Sequence, residues 1–251
     1  MNIKMIAADL DDTLLRDDQT VSDRTVSALE KCRNKGIKVI YATARGQSAQ
    51  KIVSPDWFDG YVRMSGAVAF AGEIPVYRKI ISTVETRDLL LAADKAGISI
   101  AAEISGRHYT NFDLSKVWDA MDNFEISDFK TLDVEAEKMY AITKSETEIE
   151  LLKSHLPKGL SINTTRYMFT MILHEEATKA KAVAALADYW DITFAEIAAF
   201  GDDTPDMGML EYSGVGVAMG NATDEVKSAA NYVCDTNEND GVVKWIEEFV
   251  L

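Results

Sequence analysis

The chain has 251 residues, of which 47% are hydrophobic and 27% are charged. This length and composition can bury a core for one large or two smaller domains and argue against a disordered chain. The formal net charge of −15 repels nucleic-acid backbones and anionic lipid, so we expect neither nucleic acid nor membrane as a partner. The chain has no signal-peptide-like segment and no apolar run of the roughly 18 residues that span a bilayer. We therefore expect a cytoplasmic protein.

The N-terminal region predicts a strand, a helix and a second strand. Ile3–Ala8 is apolar on both faces, which is typical of a buried parallel strand. Ser22–Asn34 has apolar residues at helical spacing, with Ser22 as the N-cap and Gly36 just beyond the C-terminal end. Ile37–Ala42 is a second buried strand. A strand-helix-strand unit of this kind belongs to a parallel sheet.

The middle third of the sequence has a different pattern. Helices and strands alternate there in short pieces, predicted at Thr86–Ala96, Ile98–Asn111 (two strands), Met139–Thr143, Glu146–His155 and Phe169–Leu173. The parallel pattern then resumes with a helix at Thr178–Tyr189, a strand at Ile197–Phe200, a turn from Glu211 and a strand at Val215–Ala218. We therefore predict an α/β fold, with a Rossmann-like parallel-sheet core formed by residues 1–82 and 174–251. An α+β domain is inserted into this core at residues 83–173.

Two carboxylates follow the first predicted strand directly. Asp9 and Asp11 are separated by one residue, so on leaving an extended strand both can face one ligand. One carboxylate can attack phosphorus while the other protonates the leaving oxygen. An acidic loop or a helix cap is an equally good interpretation of this pair taken alone.

A second acidic cluster, Gly201–Asp206, follows the predicted strand at Ile197–Phe200. Asp202 and Asp206 add hard oxygen ligands of the kind that Mg²⁺ prefers. Carboxylates gathered at one point repel one another, and a divalent cation relieves that repulsion. A solvated acidic turn is the alternative for this segment alone. Together with Asp9 and Asp11, the cluster predicts a Mg²⁺ site at the carboxyl ends of the strands.

Thr43 and Lys179 are candidate phosphate-binding residues. Thr43 ends the second strand with a hydroxyl and backbone N–H groups beyond it, although a capping threonine looks the same. Lys179 begins the alanine-rich helix and would place a cation beside the phosphate and Asp9. A solvated lysine is its alternative, and Lys181 is its nearest competitor.

Six ordered motifs together resemble the haloacid-dehalogenase (HAD) superfamily, and most closely its Cof-type branch (class IIB, C2-capped phosphatases). Residues 9–14 match D-x-D-x-T-L, and residues 43–45 match T-G-R with Ala44 in place of glycine. Residues 178–180 stand at the S-K-G position, and residues 201–209 match G-D-x-x-N-D-x-x-M except at Pro205. Residues 218–222 and 239–242 match two further Cof-type signatures. The resemblance covers nearly the whole chain.

The resemblance implies a phosphatase mechanism. Asp9 would form an aspartyl-phosphate, and Asp11 would protonate the leaving alcohol and then activate water. Thr43 and Lys179 would hold the phosphoryl oxygens. Mg²⁺ would be bound by a set of oxygen ligands with two supporting side chains: the carboxylates of Asp9 and Asp202 and the backbone carbonyl of Asp11, supported by Asp206 and Arg45.

The family also implies a small phosphoester as substrate, in particular a sugar phosphate. We expect a monomer or small homo-oligomer. The inserted domain would close over the site and read the leaving group through polar residues, for which we select Glu103, Tyr109, Asn111 and Arg166. Pro205, Ser65 and Ala44 depart from the family pattern. Each lost polar contact costs about 1–3 kcal/mol, which slows an enzyme without abolishing its activity. Two alternatives stay open: a phosphomutase of related fold, and a phosphate-binding or regulatory relative with weak turnover.

Overall fold

A computed structural model of the chain describes residues 1–118, 121–164 and 169–251. The chain divides into two units. The core unit consists of Met1–Arg78 and Thr178–Leu251, and the inserted unit is Lys79–Ala177. The insertion therefore begins at Lys79 and ends at Ala177, whereas the sequence pattern put it at residues 83–173.

The described strands are, in chain order, β1 (Met5–Ala8), β2 (Lys38–Ala42), β3 (Gly60–Arg63), β4 (Val68–Ala71), β5 (Ile74–Arg78), β6 (Ser99–Ile104), β7 (Arg107–Thr110), β8 (Phe124–Ile126), β9 (Lys138–Ile142), β10 (Leu160–Thr164), β11 (Phe169–His174), β12 (Ile197–Gly201), β13 (Val215–Ala218) and β14 (Tyr232–Val233). The described α-helices are α1 (Asp23–Asn34), α2 (Thr83–Lys95), α3 (Glu146–Ser154), α4 (Lys179–Tyr189), α5 (Met207–Tyr212), α6 (Asp224–Ala229) and α7 (Gly241–Phe249). Of these helices, none is long and apolar enough to cross a membrane.

The core unit is built on one sheet whose described strands run in the order β14-β13-β12-β1-β2-β3-β4-β5. The pairings from β14 to β3 are parallel, and β4 and β5 continue the sheet with antiparallel pairings. Every residue of β1 is buried, as expected for a central strand with both faces covered. The predicted α/β fold with a parallel-sheet core is confirmed.

The sheet register brings the predicted site residues to one edge. Ala8, the last residue of β1, is paired with Tyr41 of β2 and with Phe200 of β12. Asp9, Thr43 and Asp202 follow these strands within one or two residues of the pairing. Because the strands are parallel, their carboxyl ends lie at the same edge of the sheet, where ligands bind in open α/β sheets.

The inserted unit has its own sheet, with the described strands in the order β10-β11-β9-β6-β7-β8. Leu89 of α2 and Leu152 of α3 are buried in one apolar cluster with Ile100 and Met139 of the sheet. The two helices therefore cover one face of this sheet. This is the α+β architecture that the alternating pattern predicts. Arg166 lies outside the described residues.

One predicted element starts too early. The chain bends at Ser213 and Gly214, whereas Glu211, where we expected the turn to begin, still belongs to α5, which ends at Tyr212. This helix has only six residues, less than two turns, so it carries too little apolar periodicity to be recognised from sequence. Met209 and Leu210 stabilise it by packing into the core.

Gly66 lies where the turn after β3 meets the start of α4. Its φ is +110°, and a Cβ on it would lie 2.2 Å from the carbonyl carbon and oxygen of Thr178. Both the left-handed backbone and the lack of space require glycine here. The turn can therefore lie directly against Thr178, the residue before Lys179.

We predict that Gly66→Ala lowers the free energy of unfolding by about 3 kcal/mol, because the methyl group meets backbone rather than a flexible side chain. Urea denaturation followed by circular dichroism measures the change. Gly72→Ala is the matched control, since Gly72 also has a positive φ (+58°) but open space around its Cβ position, and should cost about 1 kcal/mol. Equal losses in the two variants would contradict the steric argument.

Candidate active site

Lys179 is the buried cation at the centre of the site. It is the first residue of α4, following Thr178, whose hydroxyl caps the helix by accepting from the N–H of Lys181. Its side chain is only 3% exposed, and its Nζ lies 2.8 Å from Asp9 Oδ1 and 2.6 Å from Asp206 Oδ1. Burial acts to lower the pKa of Lys179, but the two carboxylates raise it above the ordinary lysine value. The ammonium group therefore stays charged.

Asp9, the predicted nucleophile, directly follows β1 and is 7% exposed. Burial raises its pKa above the ordinary aspartate value, Lys179 opposes this shift, and Asp206 adds to it. The proximity of the Lys179 ammonium favours the ionised form that a nucleophile needs.

Asp206 is held under the end of β12. It is 1% exposed, and its Oδ2 accepts the backbone N–H groups of Asp202 at 3.1 Å and Asp203 at 3.2 Å. A Cβ on Gly201 would lie 2.4 Å from the Cβ of Asp206, so only glycine lets Asp206 come this close. With Oδ1 bonded to Lys179, Asp206 fixes both the lysine and the loop that carries Asp202.

Asp202 is half-buried, and Thr13 donates a hydrogen bond from its Oγ1 to Asp202 Oδ1 at 2.9 Å. Burial raises the pKa of Asp202 to about 7, although the Thr13 hydrogen bond acts to lower it. Thr13 was not among the predicted site residues. The threonine of the D-x-D-x-T-L motif was the available signal, but no spacing argument joins it to a residue so far along the chain.

Among the described residues, Asp9, Asp202 and Asp206 form the group that could hold a metal ion, with one carboxylate oxygen from each lying within 4.8 Å of the others. The Lys179 ammonium group pairs with Asp9 and Asp206, so the cluster of three carboxylates retains an excess of negative charge. These are the hard oxygen donors that suit Mg²⁺. The oxygens of Asp206 are already bonded to Lys179 and the loop backbone, which leaves Asp9 and Asp202 as the better ligands. The donor set therefore fits Mg²⁺.

Asp11 does not belong to this carboxylate group. Its two oxygens accept from Arg45, from Nε at 2.8 Å and from Nη2 at 2.5 Å. The same Nη2 also donates to Gln19 Oε1, a contact that the sequence did not predict. The backbone N–H of Arg45 donates to Thr43 Oγ1 at 3.1 Å, and Thr43 is fully buried. Arg45 thus connects the predicted acid/base to the predicted phosphate-binding threonine.

Two of the predicted substrate-reading residues are largely occupied within the inserted unit. Glu103 is 6% exposed, and its carboxylate pairs with Lys138 at 3.5 Å. The Asn111 side chain accepts from the N–H of Ile100 and donates to the carbonyl of Ile98, both at 2.9 Å. Asn111 therefore fastens the start of β6.

Tyr109, the third of these residues, is half-buried on β7 with the Arg107 guanidinium 5.6 Å from its ring centroid. Arg166, the fourth, lies outside the described residues. A role for any of the four in reading a leaving group stays a prediction.

The departures from the family pattern fit the local backbone. Pro205 occupies the first turn of the short helix Thr204–Asp206, where its fixed φ is favourable and its missing N–H is not needed. Ser65 adopts a left-handed φ of 56° in the turn before Gly66. Ala44 is exposed. None of the three displaces Lys179 from Asp9.

A model of the haloacid dehalogenase-like hydrolase family matches residues 6–246. The chain belongs to this family. This HAD-like hydrolase is 30% identical over 263 residues to the 5-amino-6-(5-phospho-D-ribitylamino)uracil phosphatase YcsE of Bacillus subtilis, with 100% of the chain and 97% of the relative covered. It is 32% identical over 270 residues to a putative phosphatase of Haemophilus influenzae, with coverage of 99% and 98%.

Two solved structures have the same fold as this HAD-like hydrolase. The HAD phosphatase BT1666 from Bacteroides thetaiotaomicron aligns with a TM-score of 0.86 at 26% identity, covering 98% of this chain and 95% of the other. The HAD subclass IIB sugar phosphatase BT4131 aligns with a TM-score of 0.82 at 25% identity, covering 98% of each. The predicted enzyme class, a HAD-type phosphatase, is confirmed.

We predict that Lys179→Met lowers phosphatase turnover at least about 100-fold, because the ammonium beside the nucleophile is lost. It should also lower the free energy of unfolding at pH 8 by about 3 kcal/mol, since Asp9 and Asp206 become unpaired buried carboxylates. This second loss shrinks as the pH is lowered, because burial raises the pKa of Asp9 and this carboxylate then takes up a proton. Lys181→Met on the exposed side of the same helix is the control for denaturation and kinetics. Equal effects at the two positions would contradict the assignment of Lys179.

A second prediction concerns divalent cations. Because the pKa of Asp202 is raised to about 7, a cation that binds below this pH must displace a proton. We expect Mg²⁺ to bind about tenfold more weakly at pH 6 than at pH 8, with proton release at pH 6. Titration calorimetry in two buffers of different ionisation enthalpy measures both effects. Asp202→Asn should remove binding and Asp203→Asn should retain it, whereas a pH-independent affinity would count against the assignment.

Proposed function

We propose that this HAD-type phosphatase hydrolyses a small phosphorylated metabolite, namely a sugar phosphate, with Mg²⁺ as cofactor and through an aspartyl-phosphate on Asp9. The observation that carries the proposal is the position of Lys179 Nζ, 2.8 Å from Asp9 Oδ1 and 2.6 Å from Asp206 Oδ1, in the cluster that contains Asp202. Relatives named as a sugar phosphatase and as a 5-amino-6-(5-phospho-D-ribitylamino)uracil phosphatase support this substrate class.

In the first step, a carboxylate oxygen of Asp9 attacks phosphorus and the bond to the leaving oxygen breaks. Asp11 gives its proton to the leaving alcohol, which then departs neutral. Lys179 and Thr43 hold the phosphoryl oxygens. Because Lys179 remains charged beside two acids, it compensates part of the negative charge brought by the phosphate.

In the second step, water attacks the phosphorus of the aspartyl-phosphate. Asp11 is now a carboxylate and accepts the proton of this water, and the bond to Asp9 breaks to release inorganic phosphate. Arg45 orients this carboxylate through its two hydrogen bonds. Asp9 leaves the cycle as a carboxylate, and Asp11 leaves it protonated for the next turnover.

The residues proposed to hold Mg²⁺ are Asp9 and Asp202 through their carboxylates and Asp11 through its backbone carbonyl. Asp206 supports them by fixing the backbone N–H groups of the Asp202 loop. When bound, the cation neutralises charge on the phosphate and orients it.

Several finer features belong to the same proposal. We propose that residues of the inserted unit read the leaving group, with Glu103, Tyr109, Asn111 and Arg166 as the candidates. We propose a cytoplasmic monomer or small homo-oligomer that binds neither nucleic acid nor membranes.

The decisive experiment is a screen of phosphorylated metabolites with Mg²⁺, in which released inorganic phosphate is measured. We predict that Asp9→Asn lowers turnover at least about 1,000-fold with every active substrate, because an amide cannot serve as the nucleophile. Circular dichroism should show an intact fold. Asp203→Asn, an exposed aspartate three residues before Asp206, should keep native turnover. Native rates in Asp9→Asn would disprove the assignment of the nucleophile.

The same assay separates the two alternatives. A phosphomutase would convert a sugar phosphate into its isomer when a sugar bisphosphate is added, and it would release little inorganic phosphate. A phosphate-binding relative without turnover would release no phosphate from p-nitrophenyl phosphate in the presence of Mg²⁺. Steady release of phosphate from both substrate types supports the hydrolase.

A further inference from the structure

One short segment contacts both of the loops that carry the proposed cation ligands. This segment, Gly220–Thr223, follows β13. The side-chain Nδ2 of Asn221 donates to the backbone carbonyl of Asp12 at 2.7 Å. The backbone N–H of Thr223 donates to the backbone carbonyl of Asp202 at 3.4 Å. The loops after β1 and β12 are therefore fastened to the same four residues.

The orientation of the Asn221 amide is set by a second contact. Its Oδ1 accepts the backbone N–H of Asn237 at 3.1 Å, so the NH₂ end must face Asp12. Asn237 is itself 5% exposed, and its Nδ2 donates to the carbonyl of Leu15 at 3.1 Å. Both residues thus hold the turn that follows β1, Asn221 near its start and Asn237 near its end.

The turn needs such support because Asp12 has a left-handed backbone, with φ of 55°. A residue other than glycine in this conformation costs about 1 kcal/mol or more. The peptide immediately before it carries the carbonyl of Asp11, which we have proposed as a cation ligand. Fixing the Asp12 carbonyl therefore limits the directions in which the Asp11 carbonyl can point.

Asn221 also lies beside the proposed ligands and not on a remote surface. It lines, together with Asp12 and Asp202, a cavity of about 430 Å³ in the core unit. The Cof-type signature at residues 218–222 contains this asparagine, yet none of the catalytic steps above uses it.

We propose that Asn221 is a positioning residue for the cation site. Its amide holds the Asp11–Asp12 backbone in the orientation that presents the Asp11 carbonyl, while the neighbouring Thr223 N–H holds the Asp202 loop. The inference rests on the proposed Mg²⁺ site. It assigns a role in metal affinity to the signature at residues 218–222. It does not place this signature in contact with the substrate.

The test is titration of the substrate-free protein with MgCl₂ by calorimetry at pH 8. We expect Asn221→Ala to raise the dissociation constant for Mg²⁺ roughly 3- to 10-fold, as the loss of one hydrogen bond predicts. The Mg²⁺ concentration for half-maximal phosphatase activity should rise by the same factor, while turnover at saturating Mg²⁺ falls by less. Asn221→Leu, which is similar in size but cannot donate, should behave alike.

Asn239→Ala is the matched control, because this exposed asparagine donates to Asp235 in the adjacent loop and should keep the native constant. If the native protein binds no Mg²⁺ and needs none for turnover, the proposed cation site itself fails. If the native protein binds Mg²⁺ and Asn221→Ala binds it equally well, the positioning role is overturned. A lowered melting temperature in EDTA with an unchanged dissociation constant also overturns it, since that result shows a purely structural role.

Discussion

The structure depends on a charge balance in a buried place. Asp9, Asp202 and Asp206 meet where the parallel strands β1 and β12 end, and the Lys179 ammonium group contacts Asp9 and Asp206. Burying a charge is costly unless it is paired. One lysine cannot balance three carboxylates, so in the proposed function a divalent cation completes the balance and lets the anionic phosphate approach. The buried carboxylates are therefore stable together with their cations, and each would be unfavourable without them.

Close backbone approaches make this balance possible. Gly201 leaves room for Asp206 beneath the strand end, and Gly66 leaves room for Thr178, so that Lys179 begins its helix inside the cluster. Thr13 and Arg45 then restrain Asp202 and Asp11. The rigid surroundings hold these acids where their mutual repulsion would otherwise separate them.

The sequence predicted those features that depend on neighbouring residues in the chain. Buried parallel strands leave continuous apolar runs, and the acids that follow β1 and β12 could be placed at one edge from topology alone. The contacts of Thr13 with Asp202 and of Asn221 with Asp12 join residues far apart in the chain, and no periodicity reports such contacts. Short helices such as α5 were also missed, because fewer than two turns are too short to show the helical repeat of apolar residues. For Asp11, the motif gave the residue but not its pairing with Arg45.

The division of the core unit into Met1–Arg78 and Thr178–Leu251 has a consequence for synthesis. During translation, Asp9 and the whole inserted unit are synthesised before Lys179 and β12. In that interval one edge of β1 lacks its partner strand and Asp9 lacks its counter-ion. The nascent chain therefore carries an unfinished sheet until translation passes Gly201, and a polypeptide released early presents an open strand edge to chaperones and proteases.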